Sequence, residues 1–238
     1  MKLILLFWCI CFSNLTFSQY SGTAEYRAII GKDSLFQSQE ILKDIYSDAM
    51  DNSSKLTFLL KFNSNESLFS LKQQIIAENI DFTLSLLDFE NPIYTNNITC
   101  EKVYTSDDNE YLITDSLKTD WKLTSETKVI DNYVCYKATS EHIVANLKGT
   151  FNFPVTVWYC PALPYSFGPA GYGKLPGLIV EYQRRNFVYG LTKLTIDKDK
   201  TIALKKPSKG TKISSKEYNA KILEDYKRSR EDFERSKN

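Results

Sequence analysis

The amino-acid sequence predicts an α+β protein that is mainly β: one antiparallel, twisted sheet or partial barrel with flanking helices and a C-terminal helix. Three observations carry this. Short runs rich in Val, Ile, Thr, Tyr and Phe recur between clusters of Asn, Asp, Ser and Gly, the spacing of strands joined by hairpins. Two stretches, opening at Ser34 and Ser214, instead place apolar residues at helical spacing behind a capping pair. Residues 153–182 hold Pro161, Pro164, Pro169 and Pro176 with Gly168, Gly171, Gly173 and Gly177, most of the backbone punctuation of the chain.

In order, residues 20–30 read as a first strand, ended at Gly31-Lys32-Asp33. Ser34 with Gln37 then caps an amphipathic helix whose apolar residues are Leu35, Leu42, Ile45, Tyr46 and Ala49, closing at residues 51–54. Phe58, Leu60 and Phe62 alternate as a strand, and residues 63–66 turn it back into a second, residues 67–71. Residues 72–90 read as helix. Beyond Pro92 the pattern is uniformly β: residues 93–105, 110–115, 121–130, 133–139, 155–160, 178–182 and 187–196. Asp131-Asn132 suits a turn with positive φ, and Pro176-Gly177 suits a type II turn. A final helix follows the Ser214/Glu217 capping box, with Tyr218, Ile222, Tyr226 and Phe233 as its apolar stripe.

The 238 residues, 42% hydrophobic, suffice for one core. Residues 1–18 read as a signal peptide: Lys2, an apolar run too short to span a bilayer, then Thr16 and Ser18 before a cleavage point at Gln19. Residues 19–204 then form a single mainly-β domain and residues 205–238 a charged helical tail, with eleven basic against six acidic side chains. No later segment is apolar enough to cross a membrane, so the expected location is the periplasm or the medium, as a soluble protein. Export permits disulfides. Of the remaining Cys100, Cys135 and Cys160, the pair Cys135 and Cys160 lies in strand patterns that could be neighbours; a bridge there and three buried thiols are both open readings.

The charge balance after cleavage, 29 basic against 29 acidic residues, gives no footprint for nucleic acid. One histidine, His142, excludes a His-x-x-x-His zinc pair and leaves any nucleophile–histidine site to be built on that residue alone. Its place past the end of an expected strand points to the surface. The glycines at 168, 171 and 173 have no helix behind them, unlike a phosphate cradle. No cofactor is expected. Glu126 and Glu181, near Trp121 and Trp158, could be drawn as a hydrolytic carboxylate pair, although outward-facing acidic residues are ordinary on such strands. Trp158, Tyr159, Tyr165, Phe167 and Tyr172 either plug the end of the sheet or line a pocket.

The string Trp158-Tyr159, Pro164, Gly168-Pro169, Tyr172 and Lys174-Leu175-Pro176-Gly177-Leu178-Ile179, followed by Val180-Glu181, resembles the GLPGLI family of exported Bacteroidota proteins of unknown function. Upstream, Trp121, Glu126-Thr127-Lys128, Tyr133, Cys135, Lys137 and Ala138 also look like that family. Lys174 stands where the family motif has its first glycine. The resemblance implies export and an antiparallel β fold, and it brings no catalytic residues. The expected function is therefore a non-catalytic binding or accessory protein for an apolar small molecule or an envelope partner. The alternatives are a carboxylate-based hydrolase and a structural envelope protein acting through its C-terminal helix.

Overall fold

The computed structural model describes residues 21–72, 80–106, 109–146, 149–197 and 202–236; the expected leader, residues 1–18, lies outside them. After β1 (Ser21–Ile30), a single helical turn α1 (Ser34–Gln37) and helix α2 (Glu40–Lys55) return the chain to the hairpin β2 (Thr57–Phe62) and β3 (Glu66–Leu71). Helix α3 (Ile80–Leu86) precedes β4 (Ile93–Asn96), β5 (Thr99–Ser106) and β6 (Asn109–Ser116). Then come β7 (Lys122–Ile130), β8 (Tyr133–Asn146) and β9 (Gly149–Cys160). A long loop leads to β10 (Leu178–Arg184) and β11 (Phe187–Asp197), and β12 (Thr211–Ile213) and helix α4 (Ser215–Ser236) follow.

The strands form one open sheet in the order β12-β6-β5-β4-β3-β2-β1-β11-β10-β9-β8-β7. Strand β1 sits inside it, antiparallel to β2 on one side and to β11 on the other. Each half is a meander, as short turns dictate. Strand β12 departs from this pattern by lying parallel to β6, so the sheet is mixed. It arrives by a long connection and not through a hairpin, which frees its direction.

Several elements differ from their expected form for local reasons. The first helix is capped by Asp33, whose side chain accepts from the Leu35 N–H, and breaks after Gln37, so Ser34 is not the cap. Of the expected stripe, Tyr46 and Ala49 are buried while Leu35 is 71% exposed. Residues 93–105 are two strands, because the Asn96 side chain accepts from the Ile98 and Thr99 N–H groups and turns the chain at once. The β8–β9 hairpin runs to Asn146 and Gly149, well past residue 139. Within residues 72–90 the helix α3 covers Ile80–Leu86, and residues 73–79 lie outside the described part. Asp131 and Asn132 do take positive φ, 45° and 67°, between Ile130 and Tyr133.

The core fills the inner face of the sheet. Phe58, Phe69, Tyr189 and Tyr182 lie at 0–1% exposure, with Phe58 and Phe69 stacked at 5.5 Å and each edge-on to Tyr189. Leu87 and Phe89, after α3, join them, and the Tyr189 hydroxyl donates to the Leu87 carbonyl. The Pro/Gly loop supplies the rest of the cover. Tyr165, Phe167, Leu175 and Leu178 are buried in this core, with Tyr165 against Phe62 at 4.5 Å. The loop is therefore a plug, and the cavity that Trp158, Tyr165, Phe167 and Leu178 could have lined is occupied by these side chains. Gly171 lies so close to Cys100 on β5 and Ile93 on β4 that an added Cβ would sit 2.5 Å from the Cys100 sulfur. A loop between β9 and β10 can touch β4 and β5 only because the sheet curls strongly on itself.

At Pro176-Gly177 the turn is not type II. The Gly177 N–H donates to the Leu175 carbonyl across Pro176, a three-residue turn, while the Leu178 N–H reaches Leu163. Gly177 has φ 153°, and a Cβ there would stand 2.1 Å from the Cys160 carbonyl oxygen. Lys174 holds φ 64°, the left-handed conformation that glycine adopts freely. Two outcomes follow. Gly177→Ala should lower stability by about 2–4 kcal/mol, through both the clash and the strain. Lys174→Gly should raise it by about 0.5–1 kcal/mol, once the gain in unfolded-chain freedom offsets part of the relief. Denaturant midpoints check both, and the opposite sign at residue 174 would mean that its side chain stabilises the loop.

Candidate functional site

Where Phe36 of α1 and the residues around the end of α3 meet the β8–β9 hairpin and the β10–β11 turn, they enclose a cleft of about 350 Å³. Its apolar walls include Phe36, Phe151, Phe153 and Phe187, and its polar groups are Ser85, Asp88, His142, Arg184, Arg185 and Asn186. The volume lies at the lower end of the range for small-molecule sites.

Strand periodicity explains the central residue. Val180, Tyr182 and Arg184 alternate on β10 and all are buried, so the face that packs Val180 and Tyr182 carries Arg184 inward as well. Its side chain is 6% exposed and its Nη2 meets Asp88 Oδ2 at 2.6 Å, while Asp88 itself is 53% exposed. The Arg184 Nε and Nη1 are buried with no hydrogen-bond partner, and so is the Tyr182 hydroxyl. A buried donor left unpaired costs about 1–3 kcal/mol. The guanidinium is thus held by the Asp88 ion pair, with the Phe187 ring and the Tyr172 phenol beside it, and its Nε and Nη1 remain short of acceptors.

The surroundings are braced. Arg185, with φ 52°, and Asn186 form the two-residue turn between β10 and β11. Gly31 fixes that turn: its N–H donates to the Asn186 carbonyl at 2.6 Å, and the Asn186 side chain donates to the Gly31 carbonyl at 3.3 Å. The Tyr46 hydroxyl donates to that same carbonyl at 2.6 Å, and its ring stacks on Phe36 at 4.7 Å. Arg185 spreads its guanidinium over Phe153 at 4.8 Å and Arg184 lies 5.3 Å from the Phe187 ring. The cleft is built on rigid elements.

His142 corrects an expectation. It lies within β8, paired with Phe153, and its half-buried ring is 3.3 Å from the Tyr172 hydroxyl. Burial, and then the Arg184 charge, push its pKa down to about 4, so it is neutral at neutral pH. Tyr172 in turn lies 4.7 Å from the Tyr182 ring and edge-on to Trp121, whose Nε1 donates to the Gly173 carbonyl. The motif loop is therefore connected to the cleft through Tyr172.

The other residues singled out in the sequence serve the scaffold. Gly168 packs on Ile179 so closely that a Cβ would approach its side chain to 2.6 Å, and Pro169 is buried beside it. Pro164 and Pro176 are exposed; Leu175, Leu178 and Ile179 are buried, and the Ile179 N–H donates to the Phe167 carbonyl. Tyr159 is buried, whereas Trp158 is half-buried under the Lys128 ammonium at 4.4 Å. Glu126 and Glu181 are each tied to a different lysine, Lys137 at 2.9 Å and Lys128 at 2.7 Å. Cys135 and Cys160 are neighbours, each adjoining a member of the Tyr136–Tyr159 pair, and both are buried. They are free thiols here and no bridge joins them; burial pushes the Cys135 thiol up to about 11. Among the described residues no group of three or more His, Cys, Asp or Glu side chains is placed to hold a metal. Nor is any helix there long and apolar enough to cross a membrane.

Residues 148–181 match the protein family described as "Protein of unknown function (Porph_ging)". That span is β9, the plug loop and the start of β10. No curated protein matches the chain. Among solved structures, two of PNGF-II are similar at 15% identity: one in space group P21 with a TM-score of 0.50, covering 85% of this chain, and one in C2 with 0.49, covering 84%. The chain spans about a third of the length of PNGF-II, 33% and 32% in the two structures. At this identity the likeness concerns the fold alone.

The depressed pKa of His142 has a stability consequence. The unfolded chain takes up this proton near pH 6.5 and the native state only near pH 4. As pH falls through that window the native state loses stability, and the loss levels off below it. For a half-buried ring the total should be about 1–2 kcal/mol after solvent screening. His142→Gln should remove this part of the acid sensitivity, measured as denaturant stability at pH 7 and pH 4.5. An imidazole titration near pH 6.5 by NMR would contradict the burial argument.

Proposed function

We propose that the chain is an exported, non-catalytic binding or accessory protein of the cell envelope, and that the cleft at Arg184 is where it holds a ligand. The observation that carries this reading is the cleft itself: phenylalanine walls around a buried guanidinium, on a turn braced from three sides. The likeness to a family of unknown function is compatible with it and adds no chemistry. Export is supported by residues 1–18 of the sequence. The non-catalytic reading is supported by the separate lysine partners of Glu126 and Glu181 and by a histidine whose contact is a tyrosine phenol. The apolar-carrier form of the idea loses its expected cavity, since the plug residues fill the inner face.

A second reading, a structural role through α4, has its own support. Ile222, Tyr226 and Phe233 are 40%, 57% and 60% exposed along one helix, and Tyr218 packs against Tyr104 and Tyr111 of the sheet. Two measurements separate the readings. Phe153→Ala should reduce binding of small aromatic fragments, followed by NMR, at least fivefold while α4 is untouched. Deleting residues 214–238 should leave fragment binding intact and, under the second reading, release the protein from its place in the envelope. Equal fragment binding by wild type and Phe153→Ala would remove the cleft as the ligand site.

A further inference from the structure

We propose that the cleft binds a small organic carboxylate with an apolar body, and that Asp88 is an internal stand-in which such a carboxylate displaces from Arg184. The inference rests on the cleft being the ligand site, and it adds the chemical class and the entry step.

Arg184 is the reason for the charge. A guanidinium presents five N–H donors in a planar fork that fits a carboxylate in two-point fashion. Asp88 engages Nη2, whereas Nε and Nη1 are buried without acceptors. The protein therefore holds a cation deep in its wall and satisfies it by one edge only. An oxygen pair arriving along that edge can take Nη2 and Nη1 together.

Asp88 has the features of a replaceable partner. It is half-exposed, where the guanidinium is buried. It sits at φ 56° in the turn that follows α3, outside regular structure. Leaving Arg184 would return its carboxylate to water with little loss of packing.

The balance of the cleft favours an anion. Arg184 and Arg185 face Asp88, and His142 is neutral, so one positive charge is uncompensated until a ligand brings its own. Once Asp88 has swung out, the ligand carboxylate lies between two guanidinium groups. Phe36, Phe151, Phe153 and Phe187 line the space beyond and suit an aryl or branched alkyl body. About 350 Å³ fits a free acid of modest size better than a polymer segment.

The test uses the full exported chain with 3-phenylpropionate as the probe and 3-phenylpropanamide as its uncharged control, by calorimetry and by NMR shifts of the His142 ring. Asp88→Asn keeps a residue that tolerates positive φ and removes the competing charge. The acid should bind wild type, the amide at least tenfold more weakly, and Asp88→Asn should bind the acid about tenfold more tightly. Arg184→Lys should lose the preference for acid over amide, and Arg185→Gln, on the exposed turn, should lower it if the deeper variant does not fold. Equal binding of acid and amide, unchanged in Asp88→Asn, would overturn the carboxylate proposal and leave the cleft as a ligand site. Weaker acid binding in Asp88→Asn would show that Asp88 holds the ligand and is no stand-in. No binding of either probe to wild type or to Asp88→Asn would overturn this proposal and count against the cleft reading as well.

Discussion

The structure depends on how a wide, open sheet covers its own inner face. The twelve strands among the described residues form an open sheet with a concave apolar surface, and the flanking helices reach only part of it. The loop between β9 and β10 covers much of the remainder by lying back on β10: Leu178 donates to Leu163, Ile179 donates to Phe167, and the Ile179 carbonyl accepts the buried Tyr26 hydroxyl. These bonds satisfy backbone groups of Leu178 and Ile179, just ahead of the bulge between Ile179 and Glu181 in the ladder with β9. The close approach is what demands glycine. At Gly168, Gly173 and Gly177 a Cβ would come within 2.6 Å of a neighbouring atom. The conformational freedom these residues lose on folding is offset by the burial of Tyr165, Phe167 and Leu175.

The same loop sets the cleft. Tyr172, carried on the plug, packs against Tyr182 and reaches His142, so the surroundings of Arg184 are built by the fold itself. A buried guanidinium would be untenable in a purely apolar wall, because an uncompensated charge there is far costlier than the packing it displaces. Asp88 supplies the opposite charge from a half-exposed position, which limits its own desolvation. The pair is thus asymmetric: one partner is fixed on the buried face of a strand, the other sits half-exposed in a turn.

Much of this fold was legible because strands and turns announce themselves locally. Alternation located β1, β2, β3, β10 and β11, Asp131-Asn132 carried the turn chemistry of its hairpin, and the Ser214–Glu217 box forms with both reciprocal bonds. The long end of β8–β9 was not legible, since Ser140, Glu141 and His142, which face Val155, Pro154 and Phe153 on the other strand, break the apolar alternation. The break after Asn96 was hidden for the opposite reason: a side-chain turn needs only one Asn inside an otherwise continuous β pattern. Arg184 was within reach, because extending the Val180, Tyr182 alternation by one step places it inside. Asp88 was not, as its partner is remote in sequence and only the tertiary fold joins them.

The span that matches a family, residues 148–181, ends three residues before Arg184. It contains Phe151 and Phe153, which wall the cleft, and the loop that carries Tyr172, yet it contains neither member of the ion pair. Physically, the matched part is the element that must be right for the sheet to be covered at all, with two glycines, Gly173 and Gly177, whose replacement would collide with backbone. Arg185 and Asp88 lie at a rim where a substitution would alter charge without exposing the core, and Arg184 is buried behind them. A scaffold of this kind can therefore keep its plug and aromatic wall while changing the charges at the mouth. Under the proposed reading, the rim sets which ligand the cleft takes, and the plug sets the aromatic wall on which it rests.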